Sequence, residues 1–349
     1  MLKSKTLTTV PELTALPDRS KLSCIDEEFL CVGLVTAVGV IDDNSFNQAA
    51  WEGVERSQVD LLAEIDYIET GKFSDIVSNI KYFGDQHYDV IVTVGSKMNV
   101  ATFAMAEKYP HTHFIGVDQD GFDNFSNATG LVFPERKLGF NAGALAAGVS
   151  RTGTVGIVLP SSLSPAAVRL QEGFEAGVNS ISPETAVMVS FHPGDELASY
   201  VDPEWGALAA RQMLENGADV IFSGGGTTGN GALVETAIDR KSLCIGIGSD
   251  QWLTLPEAQP CLISSATKQV ADSVFNIIAR TAVDQSGHHN HPSGEINGKI
   301  GLAPFHDLKE FVSAELQLAL NEITDGLNKD LIQTDGSYIH PFSNISNNE

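Results

Sequence analysis

Residues 33–52, GLVTAVGVIDDNSFNQAAWE, decide the fold because they join an apolar run to a polar loop and then to a helical pattern. The apolar run at 29–38 is too short to span a membrane and too continuous for a half-exposed strand. It therefore predicts a central strand of a parallel sheet. Asp42, Asp43 and Ser45 follow the strand and offer capping groups for a helix.

This helix is predicted to begin with Phe46 and Asn47. In open α/β sheets, ligands bind where the carboxyl ends of strands meet the amino ends of helices. Phe46 and Asn47 occupy such a place, so both are candidate ligand contacts. An ordinary capped helix with a buried phenylalanine would give the same local pattern.

Beyond residue 32, apolar strands alternate with helical stretches, which predicts a doubly wound parallel sheet. Predicted strands lie at 32–38, 62–68, 88–94 and 113–117, and predicted helices at 47–58, 73–84 and 97–109. A second series of the same kind follows residue 153. Its strands are predicted at 154–159, 185–191, 218–223 and 243–248, and its helices at 164–178, 204–216 and 230–239.

The chain has 349 residues, which is more than one hydrophobic core usually serves. Two similar α/β lobes in tandem resemble the type I periplasmic-binding-protein fold, with a ligand cleft between the lobes. We expect an N-terminal extension at 1–31, a first lobe at 32–150, a second lobe at 151–264 and a tail at 335–349. A late segment near 265–290 is expected to cross back to the first lobe, and 298–334 to join the second.

The chain is strongly acidic, with 45 Asp and Glu against 21 Lys and Arg, a net charge of −24 and a pI near 4.6. Nucleic-acid backbones are held by clustered Lys and Arg, so this balance argues against nucleic acid as a partner. No apolar segment is long enough to cross a membrane, which excludes a channel.

Four cysteines, Cys24, Cys31, Cys244 and Cys261, show no CxxC spacing, so a zinc site is not expected. They are either free thiols or two disulfides, and the spacing does not decide between these states. Three histidines at 288, 289 and 291 lie in a polar stretch at 284–299, which we interpret as a solvated loop without a metal.

The opening pattern GLVTxVGxIDDxSFNQxAWEG resembles that of the basic membrane protein family, the nucleoside-binding lipoproteins of ABC transporters. Further matching stretches lie at 115–118, 202–206, 217–222, 224–231, 255–260 and 301–308. Together they cover about residues 32–310 in the order of the family, which is far more specific than a single motif. The resemblance implies a binding protein that closes on a nucleoside, with a purine favoured, and delivers it to an ABC permease.

The resemblance also implies a set of ligand contacts. A nucleoside presents a flat base and a sugar diol, so its site needs stacking rings and charged hydrogen-bonding groups. Phe46 and Tyr200 match the stacking positions, Asp118 and Asn47 the base edge, Asp250 and Lys268 the sugar, and Gly225 lies in a glycine-rich turn that lets backbone approach the ligand.

An alternative is an NAD-dependent oxidoreductase, because Gly224, Gly226 and Gly229 fit the GxGxxG spacing between a strand and a helix. Asp250 stands at about the distance expected for the ribose-binding carboxylate. The chain shows no nucleophile elbow, P-loop or zinc-protease motif, so we expect no catalytic residue and no cofactor. A ligand-sensing receptor on the same fold stays open, whereas 1–31 lacks the helix-turn-helix of a transcription regulator.

Two positions depart from the family pattern, since members usually carry Asp where Ala37 and Gly248 stand. Without these carboxylates, the site offers a slot for a different ligand. Family members are exported, so we expect an extracytoplasmic monomer, although 1–30 shows no apolar core of a signal peptide.

Overall fold

A computed structural model describes residues 24, 29–42, 46–195, 198–284 and 292–334. Its strands are β1 Cys31–Val38, β2 Glu64–Thr70, β3 Val90–Val94, β4 His113–Val117, β5 Ala128–Val132, β6 Thr154–Leu159, β7 Ala186–Phe191, β8 Val220–Ser223, β9 Leu243–Gly248, β10 Leu262–Lys268, β11 Gly294–Asn297 and β12 Ile300–Leu302. Its helices are α1 Phe46–Leu61, α2 Ile76–Asp85, α3 Asn99–Lys108, α4 Glu135–Val149, α5 Pro165–Ile181, α6 Pro203–Glu215, α7 Gly226–Asp239, α8 Gln251–Thr254, α9 Val270–Asp284 and α10 Ala314–Asn328.

The strands form two six-stranded sheets with the same winding. The first has the order β2-β1-β3-β4-β5-β11, and the second β7-β6-β8-β9-β10-β12. Among the described strands, all pairs in the first sheet are parallel, and in the second sheet only β12 runs antiparallel to its neighbour. The predicted fold class of two doubly wound parallel-sheet lobes is confirmed, with β12 as an antiparallel addition at the edge of the second sheet.

The chain passes between the two sheets after β5, after β10 and after β11. Helix α9 packs on the first sheet, where Val274 and Ile278 join the core around β1 and β3. Helices α4 and α10 instead belong to the core of the second sheet, through residues such as Leu138 and Leu320. Thus α4 lies before the lobe boundary expected at residue 150, but its packing places it in the second lobe.

Two predicted loops are regular structure. Residues 294–297, inside the expected polar loop, form β11 and pair with β5, and Ile296 packs onto the first core. Helix α7 begins at Gly226 rather than near residue 230, so most of the glycine-rich turn is helical. Three predicted features lie outside the described residues. They are the caps at Asp43 and Ser45, the three histidines at 288–291 and the tail at 335–349.

Helices α4 and α5 pack backbone against backbone. A Cβ added to Gly139 or Gly143 would overlap the carbonyl oxygen of Leu170 or Phe174. On α5, Gly177 meets the carbonyl oxygen of Phe140 in the same way. Only glycine leaves room for this approach, since a side chain would have to push backbone rather than a movable side chain.

We expect Gly143→Ala to lower the free energy of unfolding by about 2 kcal/mol, because overpacking outweighs the better helix propensity of alanine. Gly148→Ala is the matched control on the same helix, since its added methyl meets only the movable side chain of Leu316. Urea unfolding of both variants measures the difference. Equal stabilities would show that the helices can separate at no cost.

Both cysteine pairs are disulfides, which settles the state that the sequence leaves open. Cys24 is bonded to Cys31 at the start of β1. Cys244 in β9 is bonded to Cys261 before β10, and both residues are fully buried. The second bond closes a loop of 17 residues and lies in a small separate apolar cluster with Leu233 and Leu262. Among the described residues, no helix is both long and apolar enough to cross a membrane.

Replacing Cys244 and Cys261 together by alanine should lower the free energy of unfolding by about 3 kcal/mol, the loop-entropy value for a loop of this length. Denaturant titration of the double variant and of the parent, with and without reductant, measures this. The parent should shift towards the variant on reduction. A parent whose midpoint ignores reductant would contradict the assignment of the stability to this bond.

Candidate ligand-binding cleft

A cavity of about 450 Å³ lies between the two lobes at the carboxyl ends of the strands. The first lobe contributes Phe46 to its wall. The second lobe contributes Tyr200, Gly225, Asn230, Gln251 and Lys268, among others. Four predicted ligand contacts, Phe46, Tyr200, Gly225 and Lys268, therefore border one cavity.

Phe46 is the first residue of α1 and reaches the cavity from the end of β1. One part of its ring packs against the core of the first lobe. The ammonium of Lys268 lies 4.9 Å from the ring centroid. This distance is typical of a cation–π contact, which orients the ring and the ammonium relative to each other.

Asn47 does not line the cavity. Its side chain is 2% exposed, and its Oδ1 accepts a hydrogen bond from the Ala37 backbone N–H at 2.8 Å. Its Nδ2 donates to the Val40 carbonyl oxygen at 3.1 Å. The amide therefore ties the start of α1 to the end of β1, and so positions Phe46 beside it.

Tyr200 contacts two segments of the second lobe, one through its main chain and one through its hydroxyl. Its carbonyl oxygen accepts a hydrogen bond from Thr227 Oγ1 at 3.3 Å, and its hydroxyl lies 3.3 Å from Ser164 Oγ. Two residues on, the Asp202 backbone N–H donates to Thr228 Oγ1 at 2.8 Å. The segment is thus tied to the first turn of α7.

Asp202 caps α6 and anchors the same segment. Its Oδ1 accepts from the Trp205 N–H at 3.0 Å, and its Oδ2 lies 3.2 Å from His192 Nε2. The backbone hydrogen bond, followed by the contact with His192, lowers the pKa of Asp202 below its ordinary value. The carboxylate is therefore charged at neutral pH and stays a hydrogen-bond acceptor for both contacts.

Gly225 forms the turn between β8 and α7 with a φ of 107°. A side chain there would also press on Pro160, whose Cδ lies 2.7 Å from the position of an added Cβ. Both the left-handed backbone and the missing Cβ are therefore required. The turn brings main chain to the edge of the cavity, as the sequence predicts.

Lys268 and Asp118 join the two lobes. Lys268 ends β10 in the second sheet, Asp118 follows β4 in the first, and their Nζ and Oδ1 atoms are 3.0 Å apart. The Lys268 side chain is only 12% exposed. A half-buried pair of this kind is screened less than a surface pair, so it contributes to holding the lobes in their present arrangement.

Asp250 lies beside the cleft and is engaged within the protein. Its Oδ1 accepts from the Trp252 N–H at 3.3 Å, and its Oδ2 lies 2.8 Å from His306 Nε2. The His306 ring stacks on Trp252 with centroids 4.4 Å apart. These contacts anchor α8, and they leave Asp250 fewer free lone pairs for a sugar than the sequence alone implies.

Two cavity residues, Asn230 and Gln251, are absent from the sequence prediction. The Gln251 Oε1 accepts from the Ile247 N–H at 2.8 Å, and its Nε2 donates to Asn230 Oδ1 at 2.9 Å. Asn230 is thereby oriented with its amide nitrogen as the remaining donor. Gln251 follows β9 just as Asp250 does, so the end of this strand was the available signal.

The fold and the cleft together define a two-lobed solute-binding protein. A family model described as ABC transporter substrate-binding protein PnrA-like (Bmp) matches residues 31–331. The chain therefore belongs to this family, which confirms the resemblance stated from its motifs. Solute-binding proteins are not a class of enzymes.

Relatives and solved structures agree with this assignment. The CD4+ T-cell-stimulating antigen of Listeria innocua is 28% identical over 84% of this chain and 86% of that protein. The ABC transporter nucleoside-binding protein BmpA of Lactococcus lactis is 27% identical over 64% of this chain and 64% of that protein. A solute-binding protein of an ABC transporter system from Conexibacter woesei covers 87% of this chain and 98% of its own, with 18% identity and a TM-score of 0.70. The last similarity confirms the type I periplasmic-binding-protein fold.

Asn47→Ala should lower the free energy of unfolding by about 2 kcal/mol, because it leaves the Ala37 N–H and the Val40 carbonyl without their buried partner. Gln48→Ala is the control on the same helix and removes an exposed contact to Glu52. It should cost less than about 0.5 kcal/mol. Urea unfolding separates the two, and an unperturbed Asn47→Ala protein would contradict the positioning role.

Proposed function

We propose that this protein is the nucleoside-binding component of an ABC-type importer. The observation that carries the proposal is the pair of rings, Phe46 from the first lobe and Tyr200 from the second, on the wall of one cavity. Two aromatic walls suit a flat base, which stacks on both. Membership of the substrate-binding family and the name of the Lactococcus lactis relative support the same ligand class.

The polar groups around the rings fit the remaining edges of a nucleoside. Asp118 lies behind Lys268 and does not border the cavity. Its carboxylate can only accept hydrogen bonds, so it suits the N–H groups of a base that reaches it. Lys268 can only donate, so it suits sugar hydroxyls, with Asn230 as a second donor. A purine offers more ring surface to Phe46 and Tyr200 than a pyrimidine and is the favoured base.

Binding is proposed to close the lobes about the three chain crossings. A ligand that touches both lobes binds the closed form more tightly than the open one and shifts the population towards it. The closed form is then recognised by a permease in the membrane. The binding protein acts as a monomer on the extracytoplasmic side, where its two disulfides are stable.

The test is calorimetric titration of ligand-free protein with adenosine, guanosine, inosine, cytidine and uridine. Phe46→Ala and Tyr200→Ala should each weaken binding of the preferred nucleoside about 5- to 150-fold, since stacking of one base on one ring is worth about 1–3 kcal/mol. Phe46→Leu keeps the apolar contact with the core, and separates lost stacking from lost folding.

Phe73→Ala is the matched control, because this ring is 64% exposed and lies outside the cavity. It should bind like the parent. Unchanged affinity in both ring variants would contradict the stacking arrangement. Absence of binding to all five nucleosides by folded protein would overturn the proposed ligand class.

A further inference from the structure

A second cavity of about 330 Å³ adjoins the cleft. We name it the annex. It shares Phe46, Gly248, Ser249 and Lys268 with the cleft. Its other walls come from α1, the end of β9 and the start of α9, and include Ala49, Glu52, Asp250 and Asp272.

Gly248 stands where the two cavities meet. Its φ is 91°, and a Cβ added to it would have no heavy atom within 4 Å. A larger residue there would project a side chain into open space, but glycine projects none. The cleft and the annex are therefore not separated by this position, and one ligand can occupy both.

The annex is lined by more negative than positive charge. Glu52, Asp250 and Asp272 carry carboxylates, and Lys268 carries the one ammonium among its lining residues. Since Lys268 is held by Asp118 at 3.0 Å, it is already neutralised. The annex thus disfavours an anion and favours a cation.

The carboxylates differ in how they are paired. Asp272 contacts Arg56 at 3.0 Å, and Asp250 contacts His306 at 2.8 Å. Glu52 accepts one hydrogen bond from the Gln48 amide at 3.2 Å. Among the described residues, no cation pairs with Glu52. Its carboxylate can therefore accept a hydrogen bond from a positive group of a ligand.

We infer that the annex is a second subsite, which holds a positively charged extension of a nucleoside-like ligand and rejects a phosphate at the same place. The inference rests on the proposed function, because the base must first be held between Phe46 and Tyr200. A nucleoside with an ammonium at the end of a short arm fills the cleft with its base and sugar and the annex with its arm. A nucleotide brings a dianion towards Glu52 instead.

The experiment is calorimetric titration at low ionic strength with adenosine and guanosine and three derivatives of each. The 5′-S-(2-aminoethyl)-5′-thio and 5′-S-(2-hydroxyethyl)-5′-thio derivatives differ only in the charge at the end of the arm, and the 5′-monophosphate is the anion. We expect the amino compound to bind about threefold more tightly than the hydroxy compound, because an exposed ion pair contributes little free energy. The monophosphate should bind about tenfold more weakly than its parent nucleoside.

Two variants locate the effect. Glu52→Gln should remove the preference for the amino compound, and Glu55→Gln, an exposed carboxylate on the same helix outside the annex, should keep it. Ala49→Leu should lower the affinity for both extended compounds relative to that for the parent nucleoside, because it fills the annex. Raising the salt concentration should reduce the preference.

The outcomes separate this inference from the proposed function. If adenosine or guanosine binds but the amino and hydroxy compounds bind alike, or Glu52→Gln keeps their ratio, the annex is not a cation subsite and the nucleoside cleft stands. Tight binding of the monophosphate also overturns the inference alone. If none of the compounds binds to folded protein, both the inference and the proposed function fail.

Discussion

Parallel strand pairing is the constraint from which the site follows. In each sheet the parallel strands point their carboxyl ends to one edge, so every connection there starts at the same face. Five predicted contacts stand at such ends or at the start of the next element, namely Asp118 after β4, Gly225 after β8, Asp250 after β9, Lys268 at the end of β10 and Phe46 at the start of α1. Residues far apart in sequence meet because the two edges face each other.

The ion pair of Lys268 with Asp118 is an electrostatic contact between the two lobes at the cleft. One partner belongs to each sheet, and the two atoms are 3.0 Å apart. The ammonium and the carboxylate thus satisfy each other. A ligand must offer hydrogen bonds at least as good as this contact, and an apolar molecule of the same size leaves both charges without new partners.

Segments with a clear hydrophobic period are predicted from the sequence. Segments that are buried on every side, or that are short and polar, are missed. Most strands and helices of both lobes lie within a few residues of their predicted positions. Helix α4 was not predicted, and its residues from Leu138 to Ala147 are all buried, so no polar face marks the 3.6-residue period. Strand β11 is short and half exposed at a sheet edge, and its polar residues look like a loop. Only tertiary packing distinguishes such segments.

For the site, the sequence predicts which residues lie near the cleft but not which partners their side chains have. Strand ends locate Phe46, Lys268 and Gly225 from sequence, because topology brings those ends to the cleft. The partners of a polar side chain depend on neighbours that sequence does not reveal. Asn47 turns inward to its own backbone loop, and Gln251 rather than Asp250 lines the main cavity. The role of Gly248 also depends on neighbours that the sequence does not reveal. It borders both cavities, and this is visible only in the folded structure.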